Sequence, residues 1–203
     1  MNTDLKKPVA IMMMGRPGAG KDTQAKILAD KMNLTQIITS GLLQKKFLEN
    51  PNGPEIKNEK KIFDSGGLNT PSWVLETVKE HVEKLAENDF NGANGIIFGG
   101  SPRTMYEAEN LVPFLQDMLG KENTLAFYLE VSEEEGMGRI LKRNSRPLDR
   151  DVEKIKVRMK EYSSRTDSVL GYLEKMGILI RINGMPPFED VAVEIAKHIN
   201  DNY

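Results

Sequence analysis

Val9-Ala10-Ile11-Met12-Met13-Met14-Gly15-Arg16-Pro17-Gly18-Ala19-Gly20-Lys21-Asp22-Thr23 is the stretch on which the fold turns. Six apolar residues in a row, ended by glycine, read as a strand covered on both faces, the kind found in parallel sheets. The glycine-rich turn that follows leads into a helix. In such a turn glycines let backbone N–H groups converge on an anion, the helix adds the positive end of its dipole, and a lysine brings a point charge. Lys21 is that lysine, and Thr23 offers a hydroxyl to phosphate or to Mg2+. Strand, spacing, Gly-Lys pair and helix agree on a nucleoside triphosphate site, for ATP or GTP, built from Gly15, Pro17, Gly18, Ala19, Gly20, Lys21, Asp22 and Thr23. In the general motif a hydroxyl residue directly follows the lysine. Here Asp22 stands there and Thr23 comes one later.

Outward from this stretch, short apolar runs alternate with longer amphipathic ones, the pattern of parallel strands joined by crossover helices. Strands are expected at Val9–Met14, Thr35–Ile38, Gly95–Phe98, Leu125–Val131 and Ile178–Ile182. Helices are expected around 21–32, 72–88, 105–119, 133–143, 151–175 and 188–201. The fold class is α/β, a three-layer αβα phosphate-loop fold on a parallel five-stranded sheet, with residues 1–203 forming one domain. Two polar segments interrupt the rhythm, Glu49–Lys60 and Lys142–Asp151, and both are expected to be mobile loops over a binding site.

Composition narrows the function classes. In 203 residues there are 28 Lys and Arg against 30 Asp and Glu, a net charge of −2. A protein that neutralises nucleic-acid phosphates usually carries a basic excess, so nucleic acid is not the expected partner and the basic residues are assigned to a small anion. With no cysteine, disulfides and thiolate metal sites are ruled out and the cytoplasm is the expected location. No apolar run approaches the ~20 residues of a membrane helix, and the start has no apolar signal core, so no membrane partner is expected. His81 and His198 sit in polar helical stretches and read as surface residues. Trp73 and Met12–Met14 read as packing.

Gly15 to Gln24, as Gly-x-Pro-Gly-x-Gly-Lys-x-Thr-Gln, resembles the opening of the adenylate kinases and related nucleoside monophosphate kinases. Three later segments are similar to the same family in the same order. Ile38-Thr39-Ser40-Gly41 resembles the turn that begins a monophosphate-binding insertion, about 40–70, and Gly66-Gly67-Leu68-Asn69-Thr70-Pro71 resembles its end. Gly100-Ser101-Pro102-Arg103-Thr104 resembles the segment after the third strand. Arg139 to Arg143, then Arg146, Asp149, Asp151 and Arg158, resembles a short lid, about 143–151, flanked by arginines.

The resemblance implies reversible transfer of a phosphoryl group from ATP, bound with Mg2+, to AMP, giving two ADP, in a monomeric enzyme of nucleotide biosynthesis. It implies roles as well. Lys21 would serve the ATP phosphates, Arg103 would grip the acceptor phosphate, and Arg143, Arg146 and Arg158 would close on the moving group. Arg139 would stack on the adenine of ATP, and Gly184 is among the residues expected to bind ATP. Ser40, Gly41, Lys45, Leu68, Gly100 and Glu107 would meet the acceptor. Arginine suits phosphate because its planar fork makes bidentate contacts, whereas a lysine at 45, where relatives place arginine, offers a point charge.

Two departures from the family pattern carry expectations. Gly99 occupies the end of the third strand, where relatives hold water around Mg2+ with a carboxylate; Asp22, where relatives usually have glycine, is expected to take over part of that role, making Asp22 and Thr23 the metal-side residues. Glu107 stands where adenylate kinases read adenine with a glutamine. A carboxylate only accepts, so it matches one edge of adenine, whereas guanine offers it two donors. AMP remains the leading acceptor, with a GMP or pyrimidine monophosphate kinase as the alternative. A nucleotide-binding regulatory module that has lost turnover is the alternative of another class.

Overall fold

The computed structural model describes residues 7–143 and 151–201. Its frame is a five-stranded parallel sheet of β1 (Val9–Met14), β2 (Thr35–Ile37), β3 (Gly95–Phe98), β4 (Thr124–Glu130) and β5 (Leu179–Asn183), in the order β2-β3-β1-β4-β5. The connecting helices are α1 (Lys21–Met32), α2 (Thr39–Glu49), α3 (Pro54–Ser65), α4 (Pro71–Glu87), α5 (Met105–Leu119), α6 (Glu133–Arg143), α7 (Val152–Glu161), α8 (Asp167–Lys175) and α9 (Phe188–Asn200). The α/β class and the parallel five-stranded sheet are as the sequence predicts.

Strand side chains alternate between faces, so β1 feeds two separate cores. Ala10, Met12 and Met14 join the core that holds Trp73, Val78, Leu111 and Leu173, under α4, α5 and α8. Val9, Ile11 and Met13 join the core that holds Leu28, Ile195 and Ile199, under α1 and α9. All six are buried, and burying each such side chain contributes about 1.5–3 kcal/mol. β1 is central, flanked by β3 on one side and β4 on the other. The strand order reverses there, and in open α/β sheets the crevice at the carboxyl ends of such strands is where ligands bind.

Several expected boundaries shift. The first strand of the insertion side ends at Ile37, the fourth strand is Thr124–Glu130 and the fifth Leu179–Asn183. Glu49–Lys60 is not one mobile loop: α2 runs to Glu49 and α3 begins at Pro54. Pro54 fits the first turn of a helix, where its missing N–H costs nothing. Asn50, Pro51 and Asn52 form the short connection between the two helices, and Pro54, Lys57, Asn58 and Lys60 are on the exposed face of α3, while Ile56 and Glu59 point inward. The helix expected over 151–175 is two, α7 and α8, joined by a π-turn at Tyr162–Thr166. Trp73 is a packing residue, stacked on Phe47 with ring centroids 5.7 Å apart. His81, expected on the surface, is half-buried, and burial together with the charges of Lys45 and Lys84 holds its pKa below the ordinary value. No helix among the described residues is long and apolar enough to cross a membrane.

Candidate active site

At the carboxyl end of β1 the turn 15–20 leads into α1. Gly18 has φ of 83°, and a Cβ there would lie 2.0 Å from the carbonyl oxygen of Gly136. Only glycine satisfies both the backbone and the contact with α6. A cleft opens beside this turn, with Gly15, Pro17 and Lys21 on one wall. The cleft is also lined by Thr39, Ser40, Leu43, Phe63 and Gly66–Asn69, by Gly100, Arg103 and Glu107, and by Arg158. Four sequence segments expected to act together thus meet around one cavity.

Arg103 is held from three sides. Its Nε donates to the Gly100 carbonyl at 2.7 Å, its backbone N–H donates to Glu107 Oε2 at 3.0 Å, and its carbonyl accepts from Thr166 Oγ1 at 2.9 Å. A guanidinium on so fixed a backbone is pre-organised for an anion entering the cleft. Thr104 caps α5, accepting from the Glu107 N–H at 3.2 Å while its hydroxyl donates to Glu107 Oε1 at 3.1 Å. Such a cap stabilises by about 1 kcal/mol. Glu107 is therefore a structural partner of Arg103 as well as a lining residue. It is only 3% exposed, and burial pushes its pKa above the ordinary carboxylate value, against the opposing effects of Arg103 and Thr104.

On the other side of the phosphate turn, Arg139 joins three distant segments. Its Nε donates to Glu135 Oε1 at 2.8 Å, Nη2 to the Gly184 carbonyl at 3.1 Å and Nη1 to the Ala19 carbonyl at 3.5 Å. Its guanidinium lies over the Phe188 ring, 5.5 Å from the centroid. Buried Gln24 donates to the Phe188 carbonyl at 2.8 Å and so ties α1 to α9. Arg139 and Gly184, both expected to bind ATP, are in contact.

The Gly99 position has a physical explanation. A Cβ at Gly99 would stand 2.9 Å from Asp22 Oδ1 and 3.5 Å from Asp22 Cα. The Asp22 carboxylate fills the space that a side chain on β3 would need. Among the described residues no cluster of three or more His, Cys, Asp or Glu could hold a metal ion. Asp22 and Thr23, expected on the metal side, follow Lys21 in the first turn of α1; Thr23 is exposed, and neither is among the residues that line the cleft.

Some expected residues are placed elsewhere. Gly41 and Lys45 are exposed on α2 and are not among the residues that line the cleft. Arg143 is exposed at the end of α6. Arg146 and most of the lid segment 143–151 lie outside the described residues. The cleft also contains residues that the sequence reading did not single out, including Asn69, Tyr162 and Thr166. Glu107's structural role had a readable signal, the Thr104-x-x-Glu107 spacing of a capping box. Thr166 had none, since its bond to Arg103 spans 63 residues.

A model of the family described as adenylate kinase matches residues 13–178. The chain belongs to the adenylate kinase family. It is similar to an adenylate kinase of Flavobacterium johnsoniae, 30% identical over 201 residues that cover 95% of this chain and 99% of that one. It is also similar to one of Leptospira biflexa serovar Patoc, 34% identical over 192 residues, 93% of this chain and 98% of that one. A Jannaschia species provides a third relative, 32% identical over 195 residues, 92% of this chain and 96% of its own. The stretch matched by the family model includes the phosphate turn, the 40–70 insertion, Arg103 and Arg158.

Proposed function

We propose that this chain is an adenylate kinase, transferring the terminal phosphoryl group of ATP to AMP. The observation that carries the reading is one cleft lined together by Lys21, the fixed Arg103 and Arg158. Phosphoryl transfer asks little covalent work of a protein: donor and acceptor must be held in line, water kept out, and charge on the moving group neutralised. Lys21 and the backbone N–H groups of 15–20 take the ATP phosphates. Arg103 holds the AMP phosphate and Arg158, with Arg143 and Arg146, surrounds the group in transit. Arg139 and Gly184 meet the adenine of ATP, while Ser40, Leu68 and Gly100 shape the acceptor side.

Mg2+ bound with ATP would neutralise phosphate charge, and Asp22 and Thr23 are the residues that would hold it. The Asp22 carboxylate lies against the Gly99 position, where relatives keep a carboxylate, which supports the part of this assignment that concerns Asp22. The same reading carries 40–70 as the acceptor insertion, 143–151 as the lid, and a cytoplasmic, monomeric enzyme of nucleotide biosynthesis.

One observation favours a second acceptor. Glu107 lines the cleft with a carboxylate, which suits the two donors of guanine. Steady-state ADP formation with ATP, Mg2+ and each of AMP, GMP, CMP and UMP tests both readings, with Lys21→Ala as control. Turnover with AMP and not with GMP is the expected result. Preferential turnover of GMP would make Glu107 a guanine reader, and no turnover with any acceptor would overturn the kinase reading.

A further inference from the structure

Carboxylates are seldom buried unless donors surround them. Glu59, in α3, is 3% exposed, and its donors come from one short segment. Oε2 accepts from Asn69 Nδ2 at 2.8 Å and from the Thr70 backbone N–H at 3.0 Å, and Oε1 accepts from Thr70 Oγ1. Asn69 Nδ2 also donates to the Glu59 carbonyl at 2.7 Å. Asn69 and Thr70 stand between α3 and α4, directly after Gly66, Gly67 and Leu68, and Gly66 through Asn69 line the cleft.

The far side of this turn is equally constrained. A Cβ at Gly66 would lie 3.3 Å from the Lys154 carbonyl oxygen and 3.4 Å from Arg158 Cγ. The turn is thus held between the Glu59 carboxylate and α7, the helix that carries Arg158. Moving it displaces the acceptor wall of the cleft or disturbs the seat of that arginine. The phosphate turn, by contrast, has no contact with Glu59 in this network.

We propose that Glu59 is a positioning residue for the acceptor nucleotide: its carboxylate sets the Gly66–Thr70 turn that walls the acceptor side of the cleft. It acts through Asn69 and Thr70 and touches no reacting atom. The proposal rests on the reading that AMP occupies this side of the cleft. Glutamine can replace it, because Thr70 Oγ1 can turn to accept from an amide while the remaining oxygen accepts from Thr70 N–H. Alanine removes both carboxylate acceptors and leaves only the backbone carbonyl for Asn69.

Calorimetric titration of the full chain with AMP alone and with ATP alone, for wild type, Glu59→Ala and Glu59→Gln, tests this. Glu59→Ala is expected to weaken AMP about tenfold, as befits a lost buried network. ATP affinity is expected to stay within about twofold, and Glu59→Gln to retain most AMP affinity. Unchanged AMP affinity in Glu59→Ala, or equal loss of both nucleotides, overturns the proposal. Should that variant not fold, Thr70→Val, which deletes one donor, carries the test: AMP weakened with ATP unaffected supports it, and AMP unaffected overturns it. A wild-type chain that binds ATP but not AMP also overturns it. Wild type that binds both and forms no ADP defeats the kinase reading and leaves this inference standing.

Discussion

The two sides of the cleft are built by different means. On the proposed reading the donor side is nine consecutive residues, Gly15–Thr23, a turn and the first residues of α1, which would meet ATP with backbone N–H groups and Lys21 directly after a fully buried strand. The acceptor side is assembled from side chains brought together over long distances. Thr39 and Ser101, 62 residues apart, share a hydrogen bond of 3.0 Å, Arg103 is fixed by Thr166, and Asn69 is fixed by Glu59. A backbone-built site tolerates little variation in its sequence, so it leaves a local signature. A site built from distant side chains leaves only short, separate segments, such as Gly100–Thr104, and hides the bonds between them.

This contrast predicts where substitutions act. Lys21→Ala, which removes the donor side's lysine, is expected to lower kcat/KM about a thousandfold in a coupled ADP assay, the upper range for loss of one transition-state contact. A smaller loss than that from Arg103→Ala would invert the comparison. Arg103→Lys tests the acceptor side: replacing a planar fork by a point charge is expected to lower kcat/KM about a hundredfold, with the KM for AMP rising and that for ATP little changed. Equal rises in both KM values would mean that the two sides are not separate.

Asp22 and Gly99 sharpen the comparison on the donor side. Asp22→Gly is expected to weaken Mn2+ binding to the ATP complex about tenfold by electron paramagnetic resonance, the usual effect of losing a carboxylate that orients a metal's ligands. Gly99→Asp alone crowds two carboxylates, since its Cβ would stand 2.9 Å from Asp22 Oδ1. The double variant Asp22→Gly/Gly99→Asp returns the carboxylate to β3 and is expected to recover the lost affinity. Failure of the pair to do better than either single change would separate the two positions.

The smallest effect concerns Glu107. Its folded pKa lies above 4.5, raised by burial. A carboxylate with a raised folded pKa favours the fold below its unfolded pKa and loses that contribution as pH rises through the folded value. Thermal unfolding of wild type and Glu107→Gln should therefore diverge as pH increases from about 4.5, with the wild type losing ground to the variant. A difference independent of pH would show that burial does not govern this carboxylate.

The same contrast explains what was legible in the sequence. The phosphate turn, the sheet and Arg103 after β3 follow from local pattern, because an apolar run of six and a Gly-Lys turn have few other structural solutions. The Gly99 and Asp22 pair was readable as two departures, and the geometry supplies their connection. α3 is hard to read because its two buried residues, Ile56 and Glu59, stand among many exposed polar ones, and the partners of Glu59 are ten and eleven residues away. Lys45 was placed by resemblance alone. Nothing local in the sequence distinguishes the exposed face of α2, where it sits, from the face that carries buried Leu43 and Phe47.

The central claim is transfer between two nucleotides in one cleft, and phosphorus-31 spectra of the purified chain test it most directly. With ATP, AMP and Mg2+ the account predicts ADP at two molecules for each ATP consumed, with no free phosphate, and the same final mixture starting from ADP. Unchanged ATP and AMP signals, or inorganic phosphate appearing in place of the second ADP, would contradict it.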